Sequence, residues 1–201
     1  MTLTLKVKLA VVRKPPVWRR IEVPDDVTLA GLHDAIQGAM GWTDSHGHTF
    51  SWPGMEEGAS VDEGAQHALP LLSLGRQECE MAGKVRGAVR KHMLYVYDLG
   101  DCWEHVVTLE KENGKPGPEG FELIAVSGAC PPEDIGGPIG FSDFKAAMAD
   151  ETHEEHEDMV RWLLETTGSA EFDPHETGFE KPVWGWFKNE DAPPSFSFYT
   201  R

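Results

Sequence analysis

The chain has 201 residues, with 18 Lys plus Arg against 34 Asp plus Glu and a formal net charge of -16. This length suits one domain with its own core, and the negative charge disfavours non-specific binding to nucleic acid. No apolar run reaches the roughly 18 to 20 residues that cross a bilayer, and the three separated cysteines, Cys79, Cys102 and Cys130, favour a reducing cytoplasm over a disulfide framework. We therefore predict a soluble cytoplasmic protein whose partner is another protein, not nucleic acid or membrane.

The first elements are a hairpin and a helix. Residues 3–12 and 17–23 alternate apolar and polar side chains, which predicts two paired strands. Asp26 or Thr28 can cap a helix whose apolar residues recur every three or four positions. Gly41 is a natural C-terminal stop for that helix. Residues 46–52 then predict a third strand.

A second hairpin follows, with strands at 93–97 and 102–112 joined by the turn DLGD. Aspartate at the start of this turn can bond to backbone amides two residues on, and Gly100 accepts a positive φ. Alternation places four side chains of the second strand on its apolar, core-facing side. These are Trp103, His105, Val107 and Leu109.

The last elements are one strand and two helices. Residues 120–127 predict a strand, and the three prolines and four glycines of 128–140 predict an irregular loop. Residues 141–148 predict a helix. Thr152 and Glu155 match a capping box and predict the start of a second helix.

Four segments together resemble one protein family. They are PPVWRRIEVPDDVTLAGLHDAIQGAMGWTDSHGHTF, LYVYDLGDCWEHVVTLEK, ACPPEDIGGPIGFSDFKAAMAD and FDP. Their order over about residues 3–175 resembles the plasmid pRiA4b ORF-3-like family, also known as the TnpR-like passenger protein of an insertion element. The resemblance implies a compact α+β roll and a link to mobile elements, but it implies no defined biochemical activity.

The chain departs from the family pattern at several positions. Relatives tend to carry cysteine near Leu123 and at Ile135, and often aspartate at Cys102, so Cys130 alone is left of their cysteine cluster. A structural zinc site needs four nitrogen or sulfur ligands and is not expected here. No catalytic serine in an arginine-rich N-terminal context is visible, so we predict no recombinase activity.

The predicted fold class is α+β: a single-domain α/β roll with a mostly antiparallel sheet of about five to six strands. One helix follows the first hairpin, and two helices lie near the C-terminus. Residues 1–175 form the predicted domain, and residues 176–201 form an aromatic-rich extension that packs on the domain or on a partner.

Acidic residues and a histidine suggest one candidate catalytic site. Asp98, Asp101, His105, Glu133 and Asp134 could bind a divalent cation and activate water, as in a metal-dependent hydrolase of the phosphoester class. The alternative, which the residues favour, is structural. The aspartates of the turn brace the hairpin, the acids of the PPED loop bond that loop, and the histidine points inward.

Two histidines suggest a metal site. His46 and His48 lie two residues apart in the third predicted strand, so their side chains share a face and could bind a transition metal. Asp98 and Asp101 are further candidate ligands, and His33 or His105 could supply a third. We predict no resident cofactor apart from this candidate divalent metal.

A binding surface is the remaining hypothesis. Trp18 and Arg19 could present an aromatic and arginine surface to a partner, and Trp103 with Glu104 could do so at the second hairpin. The alternative role of Trp18 is core packing. We favour a non-enzymatic binding or accessory module associated with mobile elements. The hydrolase is the alternative.

Overall fold

One antiparallel sheet organises the computed structural model, which describes residues 1–52, 60, 61, 66, 71 and 92–176 in full and residues 183–185 by their backbone. Its strands are β1 (Thr2–Arg13), β2 (Pro16–Pro24), β3 (His48–Ser51), β4 (His92–Tyr97), β5 (Trp103–Asn113), β6 (Phe121–Ser127) and β7 (Val183–Gly185). They are ordered β3-β4-β5-β1-β2-β6-β7, and every neighbouring pair is antiparallel. The helices whose bounds lie within the described ranges are α1 (Leu29–Met40), α2 (Gly137–Ala149) and α3 (His156–Thr167).

The predicted fold class is confirmed. The sheet is antiparallel, one helix follows the first hairpin, and two helices lie near the C-terminus. Six strands come from the predicted domain. The short β7 comes from the predicted extension and pairs with β6, where Phe121 lies opposite Gly185. Within the described ranges, no helix is long and apolar enough to cross a membrane.

The core lies on one face of the sheet because side chains alternate along each strand. β1 is paired on both sides, and its inward side chains are fully buried. These are Leu3, Leu5, Val7 and Leu9. The same alternation sends Lys8 to solvent on the other face. On β5, Trp103, His105 and Val107 are buried as predicted.

Helix α1 begins and ends as its sequence predicts. The Thr28 hydroxyl accepts a hydrogen bond from the Gly31 amide at 3.1 Å, so Thr28 is the N-cap. Gly41 closes the helix in the left-handed conformation, with φ 79°, and its amide donates to the Gln37 carbonyl.

Arg19 fastens α1 to the sheet. Its guanidinium is only 4% exposed, and it donates to the Ala39 carbonyl at 3.0 Å and to the Gly128 carbonyl at 2.9 Å. Further bonds reach the carbonyls of Trp18 and Ser127. A buried cation is tolerated only when its donors are satisfied, so these acceptors fix α1 against the ends of β2 and β6.

The two C-terminal helices begin at different residues from those predicted. Helix α2 begins at Gly137, four residues before Phe141, because Pro138 suits the first turn of a helix, where its missing amide costs nothing. Helix α3 begins at His156. The capping-box prediction is wrong, since the Thr152 hydroxyl donates to Asp150 and makes no cap.

An aromatic cluster joins α2 and α3 to β5. Trp103 meets Phe141 edge to face at 6.3 Å between ring centroids, and Phe144 meets Phe172 in the same way at 4.8 Å. Trp162 of α3 packs on Phe144 at 6.1 Å. Such contacts hold α2 beside the start of β5.

The close approach of α1 to β6 gives a first prediction. A β-carbon at Gly38 would lie well inside contact distance of Phe121 Cζ and 2.9 Å from its Cε1. Because Phe121 is buried and has no room to move, we expect Gly38→Ala to lower the free energy of unfolding by about 1–3 kcal/mol. At an exposed helix position the same substitution would raise stability, since alanine has a higher helix propensity than glycine. Urea unfolding measures the change. Gly114→Ala is the control, because a β-carbon there would meet no neighbouring atom, and it should unfold near the parent's urea midpoint. A Gly38→Ala variant as stable as the parent would contradict the close packing of Gly38 on Phe121.

Candidate functional site

Three loops meet at one edge of the sheet and hold most of the predicted site residues. We call residues 42–47, 98–102 and 131–137 the loop cluster. The first loop follows α1, the second is the tip of the β4–β5 hairpin, and the third leads into α2. Hydrogen bonds between the loops fix their relative positions.

Asp98 organises the hairpin tip. One carboxylate oxygen, Oδ1, accepts hydrogen bonds from the amides of Gly100 at 2.9 Å and Asp101 at 3.2 Å, as predicted for an aspartate that starts a turn. The positive φ predicted at Gly100 is wrong, because the tip has it at Asp98 and Cys102 instead. The Asp98 amide donates to the Gly47 carbonyl at 2.9 Å. Asp98 has φ 54°, a left-handed conformation that aspartate tolerates better than most residues. The tip is therefore tied to the loop that follows α1.

Asp101 ties the hairpin tip to the third loop. Its Oδ2 atom accepts a hydrogen bond from the Gly136 amide at 3.1 Å. Gly137 has φ 67°, and a β-carbon there would lie 2.7 Å from the Asp101 carbonyl oxygen. Glycine at this position permits the close approach of the two backbones.

Glu133 joins the third loop to the first. Its Oε1 accepts from the Tyr97 hydroxyl at 2.5 Å, and its Oε2 accepts from the amide and hydroxyl of Thr43. The Trp42 indole adds a bond to the Pro131 carbonyl at 2.9 Å. Burial and the Glu133 carboxylate raise the pKa of Tyr97, which keeps its hydroxyl protonated as a donor.

His105 lies apart from the loop cluster. It is fully buried in the core, and its Nδ1 atom lies 3.3 Å from the Tyr95 carbonyl. Burial lowers the pKa of His105 to about 4, although backbone hydrogen bonding opposes this shift. The predicted inward orientation of His105 is therefore observed, but its Nε2 atom has no hydrogen-bond partner among the described residues, and its burial places it outside the predicted catalytic group. The other four candidates, Asp98, Asp101, Glu133 and Asp134, all lie in the loop cluster, but only Asp98 and Asp134 bring carboxylate oxygens into one group, around His46 Nε2.

His46 and His48 belong to two different clusters. Strand β3 begins at His48, so His46 lies in the loop before it, and the prediction that both imidazoles share one strand face is wrong. His46 Nε2 lies 3.1 Å from Asp134 Oδ1 and 3.8 Å from Asp98 Oδ2. His48 instead groups with His33 and Asp44. The two groups differ in what they can bind.

The second cluster contains a closed ring of hydrogen bonds among buried or half-buried side chains. The Asp44 amide donates to Gln37 Oε1 at 3.0 Å, which orients the Gln37 side chain so that its Nε2 donates to the Tyr95 hydroxyl. The hydroxyl then donates to His33 Nδ1 at 2.8 Å, and His33 Nε2 donates to Asp44 Oδ1 at 2.9 Å. Burial raises the pKa of Tyr95 well above its usual value, so its proton stays in place.

The ring geometry of this second cluster opposes a shared metal ion. His33 and His48 stack with centroids 3.7 Å apart and planes inclined by 12°. A metal ion binds imidazole along the nitrogen lone pair, in the ring plane. Two nearly parallel planes at this separation cannot both contain one ion. His48 also places its Nε2 2.8 Å from Gln66 Oε1, which holds the stacked arrangement.

Trp18 and Arg19 do not form one surface, so this prediction is wrong. Neighbouring residues of a strand point to opposite faces, and Arg19 is buried beneath α1. Trp18 lies on the outer face, where Lys6 Nζ is 4.5 Å and Arg20 Cζ 5.3 Å from its ring centroid. The indole is therefore flanked by cations of the same chain.

Trp103 and Glu104 also point to opposite faces of the sheet, because they are neighbours in β5. Trp103 is 1% exposed and contacts α2, so it is not available to a partner, whereas Glu104 points to solvent. The sequence interpretation also missed two residues that hold the loops, Tyr97 and Gln37. An inward tyrosine or glutamine needs a buried hydrogen-bond partner, and that requirement is the signal that could have identified both.

The sheet with α1 on its inner face, together with the loop cluster, defines an α+β domain with a candidate binding edge. The chain belongs to the plasmid pRiA4b ORF-3-like protein family, whose model matches residues 1–181. It is 35% identical over 168 residues to the uncharacterized protein y4hQ of Sinorhizobium fredii, covering 84% of this chain and 82% of that one. The crystal structure of MM3350 from Methanosarcina mazei Go1, a protein of unknown function, matches with TM-score 0.65 and 30% identity over 87% of this chain and 93% of that chain.

The buried His105 predicts how stability depends on pH. Because its pKa falls from 6.5 in the unfolded chain to about 4 on folding, the unfolded chain binds this proton more tightly. The contribution to stability is complete above pH 6.5 and is lost as the pH falls towards 4, by about 3 kcal/mol in all.

The variant His105→Asn keeps a donor near Nδ1 but cannot titrate, so its free energy of unfolding should fall less steeply between pH 6.5 and 4. Urea unfolding across this range measures the slope. His92→Asn, at an exposed position, is the matched control and should keep the parent's slope. Equal slopes in the parent and His105→Asn would show that the buried imidazole is not the cause.

Proposed function

We propose that the protein is a non-enzymatic binding module that recognises a partner protein through the loop cluster. Two apolar side chains anchor the partner: Leu99 within the cluster and Ile139 beside it. The observation that carries this proposal is their exposure, 59% for Leu99 and 78% for Ile139. Leu99 lies at the hairpin tip next to Gly47, and Ile139 lies in the first turn of α2. Large apolar side chains on a fixed edge are typical anchors of protein interfaces.

The hydrogen bonds of the loop cluster support binding over hydrolysis. Glu133 accepts bonds on both carboxylate oxygens, and Asp98 and Asp101 each accept backbone amides. Carboxylates used in this way hold loops in place and are less available as general bases. His105, the proposed catalytic histidine, lies in the core.

Pre-organisation favours a specific partner. Asp98 and Asp134 adopt left-handed backbone conformations within loops that are bonded to one another. A surface ordered before binding loses little conformational entropy when its partner docks. The exposed Asp134 and Glu104 add negative charge near the apolar anchors, so the partner should present an apolar centre with a basic rim.

Three broader predictions remain part of this proposal. The net charge of -16 repels the negatively charged phosphates of nucleic acid, which supports a protein partner instead. The free thiols Cys102 and Cys130 support a location in the cytoplasm. Association with mobile elements rests on the family alone.

The double variant Leu99→Ser/Ile139→Ser tests the binding edge. The tagged full-length chain is used to capture proteins from its native cells, and the captured proteins are compared by quantitative mass spectrometry. The strongest ligand is then purified and its Kd measured. We expect the double variant to bind at least about tenfold more weakly, because both apolar anchors are lost.

The matched control is Leu164→Ser, which removes another exposed apolar side chain, 50% exposed, from α3, a helix that contributes no residue to the loop cluster. This control should bind as the parent does. Equal binding by the parent and the Leu99→Ser/Ile139→Ser variant, or an equal loss in that variant and in Leu164→Ser, would overturn the proposed edge.

A further inference from the structure

We propose that His46, Asp98 and Asp134 form a binding site for a divalent transition-metal cation, with Zn²⁺ preferred over Mn²⁺ and Mg²⁺. The three residues come from the three separate loops of the loop cluster. Each contributes one ligand atom: imidazole Nε2 from His46, and one carboxylate oxygen from each aspartate. The site is independent of the apolar anchors that carry the proposed function.

The distances between the ligand atoms fit one ion. His46 Nε2 is 3.1 Å from Asp134 Oδ1 and 3.8 Å from Asp98 Oδ2, and all three atoms lie within 4.8 Å of one another. Bonds of about 2.0–2.1 Å to zinc place neighbouring tetrahedral ligands about 3.3 Å apart. Small side-chain movements bring all three atoms into that range.

The Nε2 atom of His46, unpaired among the described residues, indicates that this site binds a ligand. Its Nε2 atom is buried and makes no hydrogen bond within the part of the chain that the structure describes, although a carboxylate oxygen lies 3.1 Å away. A buried polar atom without a hydrogen bond is rare and calls for an ion, a water molecule or a function. An imidazole lone pair beside two carboxylates matches the donors that transition metals prefer.

Asp98 is prepared for this role by its hydrogen bonds. Two backbone amides occupy Oδ1, so Oδ2 is the atom that faces His46. Outer hydrogen bonds of this kind orient a metal ligand before the ion binds. Asp98 is also 7% exposed, and a cation would offset the cost of its buried negative charge.

Asp134 leaves the site accessible. Its side chain is 73% exposed, so an ion can enter from solvent, and water or a partner's side chain can complete the coordination. One nitrogen and two oxygen donors favour zinc over manganese by the usual order of divalent stabilities, and magnesium prefers oxygen donors alone.

The direct test titrates the chelator-treated full-length chain with ZnCl₂, MnCl₂ and MgCl₂ and follows heat of binding and thermal unfolding. We expect one tight Zn²⁺ per chain, a higher unfolding temperature with Zn²⁺ than without it, and weaker Mn²⁺ and Mg²⁺ binding. Co²⁺ should give visible d–d absorption that is lost in His46→Gln, which reports imidazole ligation.

The variants His46→Gln and Asp134→Asn should each weaken Zn²⁺ binding at least about tenfold. Asparagine tolerates the left-handed backbone of Asp134, φ 59°, as aspartate does, so this variant should fold and unfold like the parent without metal. Asp44→Asn is the matched control, since Asp44 has φ 57° and lies in the cluster whose stacked histidines oppose a shared ion.

Three results would overturn the site: no Zn²⁺ binding below about 100 µM, unchanged affinity in both His46→Gln and Asp134→Asn, or loss of binding in Asp44→Asn alone. The first would leave His46 as a polar contact between the two carboxylates. Because the assay contains no partner protein, its failure is distinct from failure of the binding edge. That edge is tested by partner binding and with substitutions at different residues, Leu99 and Ile139.

Discussion

The buried guanidinium of Arg19 is the interaction on which the rest of the arrangement depends. It donates to carbonyls at the C-terminal end of α1 and at the end of β6, where helix and sheet both leave acceptors without partners. A positive charge is also favourable at the negative end of the helix dipole. The end of α1 is thereby fixed over β2, and the loop that carries Trp42, Thr43 and His46 begins only one turn beyond it.

That fixed starting point explains why three loops can share one edge. The loop after α1 meets the hairpin tip through the Asp98 amide and the PPED loop through Glu133. Each carboxylate bond satisfies a backbone or hydroxyl donor that would otherwise lack a partner in a half-buried setting. Asp98 uses one oxygen for its own turn and turns the other towards His46. The same residues therefore build the loops and create the local negative field.

Local rules predicted much of this fold from the sequence. Period-two alternation predicted the buried face of β5, and the capping residues Thr28 and Gly41 predicted the two ends of α1. Both features depend only on residues that are close in the sequence. Convergence of the loops depends on contacts between residues about ninety positions apart, such as Thr43 with Glu133, which no spacing encodes. The separation of His46 from His48 had a smaller cause: the strand begins two residues later than its composition suggests.

The ring through Gln37, Tyr95, His33 and Asp44 has a consequence for proton chemistry in the core. Gln37 accepts from the Asp44 amide at its oxygen and donates to the Tyr95 hydroxyl from its nitrogen, which leaves the hydroxyl proton available for His33 Nδ1. The contact of His33 Nε2 with the Asp44 carboxylate at 2.9 Å favours the tautomer with a proton on that nitrogen. A negative charge on Asp44 stabilises that tautomer, and the dipoles around the ring reinforce one another. The hydrogen bonds among Gln37, Tyr95, His33 and Asp44 therefore polarise one another beneath the loop that follows α1.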